Sequence, residues 1–235
     1  GPRRIISSRA FQEIRPGSNV NLGIGMPEGV AQIAREKKRL DEMVMTVEAG
    51  PIGGVPAGGL SFGASSFPHA IINQPNMFDF YDGSGLDVAF LGMAECDREG
   101  NINVSKFSGR VAGIGGFMNI AQTAKKVVFT GTFTAGGLDV VWQDGRLQIV
   151  TEGKHRKFVS AVEHVTFSGA YALKKSPRQE ILFVTERAVF RLTDGGVELI
   201  EIAPGIDLQK QVLALMDFAP KVSPNLKTMD ADVFC

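Results

Sequence analysis

Cysteine and histidine are scarce in this chain. Its 235 residues include two cysteines, Cys96 and Cys235, and three histidines, His69, His155 and His164. Two cysteines cannot build the disulfide framework of a small secreted domain, and the spacing of these residues does not match a zinc site. We therefore expect no metal site, an inert thiol at Cys96 and a protein of the reducing cytoplasm.

Net charge and long hydrophobic runs are missing as well. The 25 basic residues balance the 25 acidic ones, so no field of one sign indicates nucleic acid or a membrane surface as a partner. No apolar run approaches the roughly 20 residues that cross a bilayer, and the start has no signal-peptide pattern. These absences predict a soluble protein without nucleic-acid or membrane partners.

Linkers and repeats are also absent. With no tract rich in proline or serine, and with 44% hydrophobic residues for a core, the simplest interpretation is one domain over residues 1–235. The chain begins with Gly-Pro instead of Met, which matches the remnant left by a common tag-removing protease. We therefore keep Gly1 and Pro2 out of the fold prediction and leave open that the chain is cut from a longer protein.

What is present is a recurring order of strand, glycine loop and helix. An apolar strand near residues 20–22 leads into Gly23-Ile24-Gly25 and a helical pattern, and a second strand, 43–47, ends at Glu48. Further along, the sequence predicts a central strand at 86–93, a glycine loop at 113–116, a helix near 119–124 and a strand at 127–130.

The last part of the chain has another character. Alternating residues around Asp144-Gly145, and again in 181–202 with a turn at Asp194-Gly195-Gly196, predict antiparallel strands, and 207–216 predicts a short amphipathic helix. The predicted fold is α/β: an open, mostly parallel sheet flanked by helices, with an antiparallel strand region in the C-terminal part.

Glu48 stands out by its position. It follows a buried-type strand, at the edge where ligands bind in open α/β sheets, and the glycines after it leave room for another molecule. With an ordinary pKa of about 4.3, a carboxylate is ionised at neutral pH and can attack without a partner base. A strand-end acid that caps a helix or pairs with a basic residue is the structural alternative. The residues allow covalent catalysis but do not single it out.

The other motifs give weaker evidence of function than Glu48 does. Gly23-Ile24-Gly25 lacks the third glycine and the later acid of a dinucleotide fingerprint, so a tight turn is favoured. Ser65 and Ser66 lack the second glycine of a hydrolase elbow. The loop at 113–116 is more promising, because glycine backbone before a helix can turn N–H groups toward a developing oxyanion.

Four segments together carry a family resemblance: VNLGIGMP, TVEAGPIGG, GNINVSKFSGRVAGIGGFMNIAQTAKKVVF and FVTERAVFRL. In this order they closely resemble the carboxyl-terminal, glutamate-bearing half of family I coenzyme A transferases, and best resemble the single-chain acetate and propionate type. The resemblance covers nearly the whole chain. It implies that the acid of the Glu-x-Gly motif, here Glu48, is the catalytic nucleophile, and that Gly116, with Gly115 next, lends a backbone amide to the oxyanion.

The resemblance further implies ping-pong transfer of coenzyme A (CoA) through a glutamyl-CoA thioester, with CoA as a substrate and no tightly bound cofactor. The family's CoA-binding lysine falls at Arg110, a departure that keeps the charge but changes its geometry. Lys106, Gly23 and Gly25 are further candidates for contacts with CoA. Acetate, propionate and acetoacetate fit a small pocket, which Phe62, Phe67 and Pro68 could wall unless they are core residues.

The family's site lies between two homologous halves, and only the second half is recognisable here. The resemblance therefore implies an amino-terminal half, supplied by a separate chain or a missing segment, and an oligomer. Two alternatives stay open: an acyl-CoA hydrolase on the same scaffold, in which water resolves the glutamyl intermediate, and a non-catalytic half that binds ligand or dimerises.

Overall fold

The computed structural model describes residues 1–107 and 109–234, so the prediction for Cys235 lies outside the described residues. Its helices are α1 (Pro2–Phe11), α2 (Gly29–Glu36), α3 (Gln74–Asp82), α4 (Phe117–Thr123), α5 (Gly169–Lys174) and α6 (Leu208–Gln211), with 3-10 turns at Met26–Glu28, Leu40–Glu42, Gly59–Ser61, Leu213–Leu215 and Ala231–Val233. Its strands are β1 (Ser18–Leu22), β2 (Met43–Thr46), β3 (Pro51–Ile52), β4 (Val55–Pro56), β5 (Ser65–Ser66), β6 (Ala70–Ile71), β7 (Val88–Gly92), β8 (Glu95–Cys96), β9 (Ile102–Asn103), β10 (Lys106–Phe107), β11 (Arg110–Val111), β12 (Lys126–Thr130), β13 (Thr134–Ala135), β14 (Asp139–Gln143), β15 (Arg146–Thr151), β16 (His155–Arg156), β17 (Glu180–Val184), β18 (Ala188–Thr193), β19 (Gly196–Ile202) and β20 (Lys221–Thr228).

One sheet organises the molecule. It has ten strands in the order β20-β19-β18-β17-β12-β7-β1-β2-β3-β6. The central strands β17, β12, β7, β1 and β2 run parallel to one another, and β18 and β19 continue the sheet antiparallel. The predicted mostly parallel sheet with an antiparallel C-terminal region is confirmed. The antiparallel pair β3 and β6, beyond β2, was not predicted.

Helices cover both faces of this sheet, because its central strands are apolar on both sides. In β7, Val88 and Phe90 belong to one core cluster, whereas Ala89 and Leu91 belong to the other. Successive side chains of a strand point to opposite faces, which is why a continuous apolar run fills a central strand. Helices α1 and α2 pack in the first cluster, and α3 and α4 in the second.

Several elements differ from the sequence prediction. Pro2, which we had kept out of the fold, is the first residue of α1. The helix expected at 207–216 is shorter, since α6 ends at Gln211 and a 3-10 turn follows. Strand β20 was missed, although it pairs in parallel with β19.

The parallel order brings the carboxyl ends of β1, β2, β7 and β12 to one edge of the sheet.

None of the helices within residues 1–107 and 109–234 has the length and hydrophobicity that crossing a membrane requires. Within the same residues, no group of three or more His, Cys, Asp or Glu side chains is arranged to hold a metal ion.

Candidate active site at the carboxyl ends of the parallel strands

Glu48 lies in a tight turn between parallel β2 and antiparallel β3. Hydrogen bonds from Val47 N–H to Pro51 O (3.1 Å) and from Gly50 N–H to Val47 O (2.9 Å) close the turn. Gly50 has φ +126°, and a β-carbon there would lie 2.0 Å from Ile72 O. Only glycine fits this place, so the Glu-Ala-Gly sequence fixes a turn that leaves the Glu48 side chain half-buried at the sheet edge.

The glycine loop before α4 meets this carboxylate. Gly116 N–H donates a hydrogen bond to Glu48 Oε2 at 3.2 Å. A β-carbon on Gly115, which has φ +52°, would lie 3.1 Å from Glu48 Oε1, and one on Gly116 would lie 2.6 Å from Oε2. Glu48, Gly115 and Gly116 are therefore brought together, and the absence of side chains on the two glycines is what permits the approach.

A buried polar network underlies the site, and the sequence analysis missed it. Tyr81 Oη donates to Thr46 Oγ1 at 3.0 Å and accepts from Asn21 Nδ2 at 3.1 Å, while Thr46 Oγ1 donates to Val20 O at 2.9 Å. Burial raises the pKa of Tyr81, and the charge of Glu48 adds to this, against the two hydrogen bonds. Polar residues inside apolar strands, Asn21 and Thr46, were the available signal.

Removal of the Tyr81 hydroxyl should cost stability. In Tyr81→Phe, the buried Asn21 amide and Thr46 hydroxyl lose a partner, and we expect a loss of about 1–3 kcal/mol in the free energy of unfolding. Tyr171→Phe is the matched control, because Tyr171 is 56% exposed and should change stability by less than about 0.5 kcal/mol. Urea unfolding followed by circular dichroism measures both; equal losses in the two variants would contradict the network.

Gly23 and Gly25 lie at the end of the neighbouring strand β1. Gly23 N–H donates to Phe90 O at 2.8 Å, so this glycine packs against β7. Gly25 has φ +87°, and its N–H donates to Glu28 Oε1 at 2.9 Å. The second oxygen, Glu28 Oε2, accepts from Gly59 N–H at 3.2 Å, so one carboxylate bridges two loops of this edge.

Lys106 and Arg110 lie on the hairpin that precedes the glycine loop. Strands β10 and β11 pair Phe107 with Arg110 and Lys106 with Val111, and Arg110 is exposed. Within the described residues, no hydrogen bond or ion pair joins either basic side chain to Glu48. They are near the loop in sequence without forming part of the Glu48 cluster.

The aromatic residue beside Glu48 is not one of those considered from the sequence. Phe67 is 90% exposed, so it is not a core residue. The ring that lies beside Glu48 and Gly116 is that of Phe78 on α3. Cys96 is buried, which raises the pKa of its thiol and makes a thiolate unfavourable.

Comparison with known proteins gives consistent relatives, although no family model matches the chain. It is 47% identical over 99% of its length to the acetate CoA-transferase YdiF of Escherichia coli K12, covering 43% of that protein. It is 49% identical over 99% of its length to the caffeate CoA-transferase of Acetobacterium woodii, covering 45%. The chain thus spans less than half the length of these relatives. It is also 29% identical to the acetate CoA-transferase subunit beta of E. coli K12, over 97% of both chains.

Solved structures agree. The crystal structure of the acyl-CoA transferase YdiF apoenzyme from E. coli O157:H7 matches all of this chain and 44% of that one, with a TM-score of 0.94 and 45% identity. A second structure of that protein, described as a thioester complex with CoA, matches with a TM-score of 0.93 and 45% identity. The similarity covers every element that positions Glu48.

Proposed function

The chain belongs to the family I coenzyme A transferases, and from this membership we propose that it is the glutamate-bearing half of a short-chain acyl-CoA:carboxylate CoA-transferase. In this proposal, residues 1–235 form one domain, Glu48 is the nucleophile and Gly116 supplies the amide for the oxyanion, with Gly115 beside it. The observation that carries it is the hydrogen bond from Gly116 N–H to Glu48 Oε2 at the ligand-binding edge of the sheet.

The chemistry needs no proton transfer. The ionised Glu48 attacks the acyl-CoA carbonyl, the carbon–sulfur bond breaks, and a mixed anhydride and CoA thiolate result. The thiolate attacks the glutamyl carbonyl carbon, the substrate carboxylate leaves, and a glutamyl-CoA thioester remains. In the second step the negative charge develops on a Glu48 oxygen, which is where Gly116 N–H points. An incoming carboxylate reverses both steps, so we expect ping-pong kinetics.

Formation of a thioester from a carboxylate is uphill unless remote parts of CoA supply binding energy. We propose Arg110 and Lys106 for this purpose, because both are cations on the hairpin that leads into the Gly113–Gly116 loop. Gly23 and Gly25 would allow the thiol end to approach the edge of β1 and β7. CoA enters as a substrate in this scheme, with no resident cofactor.

We also propose that a second half completes the site. The single-chain relatives are more than twice as long as the matched region, and other relatives are separate subunits. Large apolar side chains stay exposed in the loops and short elements that follow these strands: Ile24, Leu60, Phe67, Ile71, Val111 and Met118. Exposed apolar side chains suit a protein partner where they lie together. The amino-terminal half, as a separate chain or the missing part of this one, would cover them, within a cytoplasmic oligomer.

We propose that the acceptor is a carboxylate, namely acetate, propionate or acetoacetate, and the relatives named for acetate and for caffeate support this proposal. The deciding experiment incubates the completed enzyme with propionyl-CoA, with and without acetate, and follows acetyl-CoA by chromatography. We expect acetyl-CoA and free propionate to form in equal amounts over many turnovers, and only when acetate is present; without acetate, propionate release should stop at about one equivalent per Glu48, when the thioester has formed.

The same experiment separates the hydrolase alternative. If water resolved the glutamyl intermediate, free CoA would be released at the full rate without acetate, and the transferase proposal would fail. A completed enzyme that binds CoA but turns over neither way would instead support a non-catalytic half.

A further inference from the structure

The ring of Phe78 lies beside the Glu48 carboxylate. A β-carbon on Gly116 would lie 2.4 Å from Phe78 Cζ, 2.6 Å from Phe78 Cε1 and 2.6 Å from Glu48 Oε2. The Phe78 ring and the Glu48 carboxylate therefore lie next to the same point above Gly116 and are close to each other. A group bonded to this end of Glu48 has an aromatic ring on one side and the glycine loop on the other.

Two connections hold the ring in place. Phe78 packs edge-on against Tyr81, one helical turn further along α3, with ring centroids 5.7 Å apart at 82°. Tyr81 is fully buried, and its hydroxyl both donates a hydrogen bond and accepts one. Asn119 Nδ2 donates to both carboxylate oxygens of Asp82, at 3.2 and 3.1 Å, and ties α3 to α4. The helix that carries Phe78 is thus fastened to the helix that carries the glycine loop.

The chemistry of the ring suits an apolar group. Phe78 is half-buried, packed on the core cluster that includes Phe117 and Tyr81, and it offers no hydrogen bond to a carboxylate or to water. In an apolar pocket, one methylene that fits or clashes changes specificity by roughly 10-fold to 200-fold. A fixed ring next to the reacting carboxylate is therefore well placed to select by size.

We propose that Phe78 determines which acyl groups the enzyme accepts, by bounding the space next to the acyl carbon bonded to Glu48. This inference rests on the proposed transferase function. The ring touches the acyl tail, leaves the reacting atoms free, and restricts the site to short chains.

The test compares Phe78→Ala and Phe78→Leu with Phe80→Ala in the completed enzyme. Phe80 is a matched control on the same helix, because it packs against Gly85, where a β-carbon would lie 2.4 Å from its ring, and is 38% exposed. The measured quantity is kcat/KM for acetyl-CoA, butyryl-CoA and hexanoyl-CoA with isotopically labelled acetate as the acceptor, so that transfer from acetyl-CoA is followed as label entering acetyl-CoA. We expect the ratio of hexanoyl-CoA to acetyl-CoA to rise at least about 10-fold in Phe78→Ala, with a smaller rise in Phe78→Leu.

Phe80→Ala should leave the ratio as in the wild type. Because a ratio within each variant cancels losses of folded protein, and because Phe78→Leu conserves most of the packing, partial unfolding cannot imitate this pattern. An unchanged ratio in both Phe78 variants, or an equal rise in Phe80→Ala, would overturn the role of Phe78 while the transferase function stands. A wild-type enzyme without acetate-dependent transfer would overturn both.

Discussion

Glu48→Gln should abolish CoA transfer and leave the fold intact. An amide is a poor nucleophile and cannot form the mixed anhydride, so we expect kcat to fall by roughly 10⁴-fold or more. The glutamine oxygen can still accept the hydrogen bond from Gly116 N–H, and the half-buried side chain contributes little to the core. Loss of activity with an unchanged unfolding transition therefore isolates the nucleophile.

The covalent intermediate provides a second measurement. After exposure of the wild-type enzyme to acyl-CoA, mass spectrometry of the digested protein should find CoA, or a borohydride-reduced side chain, on Glu48 alone. Glu36→Gln serves as the control, since Glu36, the last residue of α2, forms an exposed ion pair with Arg4 of α1, and such pairs contribute little. An adduct on another residue, or substantial turnover by Glu48→Gln, would refute the proposed mechanism.

Gly116→Ala should reduce transfer by about 10²-fold to 10³-fold, the usual effect of losing one oxyanion donor. The added β-carbon would lie 2.6 Å from Glu48 Oε2 and 2.4 Å from the ring of Phe78, so carboxylate and loop must separate. The backbone itself tolerates alanine, because Gly116 has φ −82° and ψ 7°. The loss should thus fall on kcat, with the protein still folded.

Gly113→Ala, in the same loop, is the matched control for this substitution. A β-carbon at Gly113 would meet no atom within 4 Å, and its φ lies outside the left-handed region. Steady-state kinetics on the two variants should give a large loss for Gly116→Ala and little change for Gly113→Ala. Equal losses would mean that the loop responds to any added side chain, and that the bond to Glu48 is not what matters.

The parts of the fold that follow from the sequence are those with a long, simple pattern. The apolar run predicts the central strand β7, and the alternation around Asp144-Gly145 predicts the hairpin of β14 and β15. Both patterns are reliable because a strand buried on both faces is apolar throughout, whereas one buried on a single face alternates. Helix α3 was not predicted. It is short, begins at Gln74-Pro75-Asn76 and buries only Met77 and Tyr81, so its periodicity is weak against the loop-like residues around it.

The residues of the candidate site also fall into two groups, those that a local sequence pattern predicts and those that it does not. The position of Glu48 follows from local order, because a strand end and a glycine motif lie next to each other in the chain. Phe78 and Tyr81 reach the site from α3, some 30 residues later, and no local pattern relates them to Glu48. Phe67, considered from the sequence because it is near Glu48 along the chain, is exposed, whereas the ring that lies beside the Glu48 carboxylate belongs to Phe78.

The bridge made by Glu28 has a mechanical consequence. Its two oxygens hold Gly25 N–H and Gly59 N–H, which belong to loops 34 residues apart that follow different strands. Because one carboxylate joins them, we expect a displacement of the loop at Gly59 to be passed to the loop at Gly25, and the reverse. The two loops should therefore respond to an arriving molecule together and not independently.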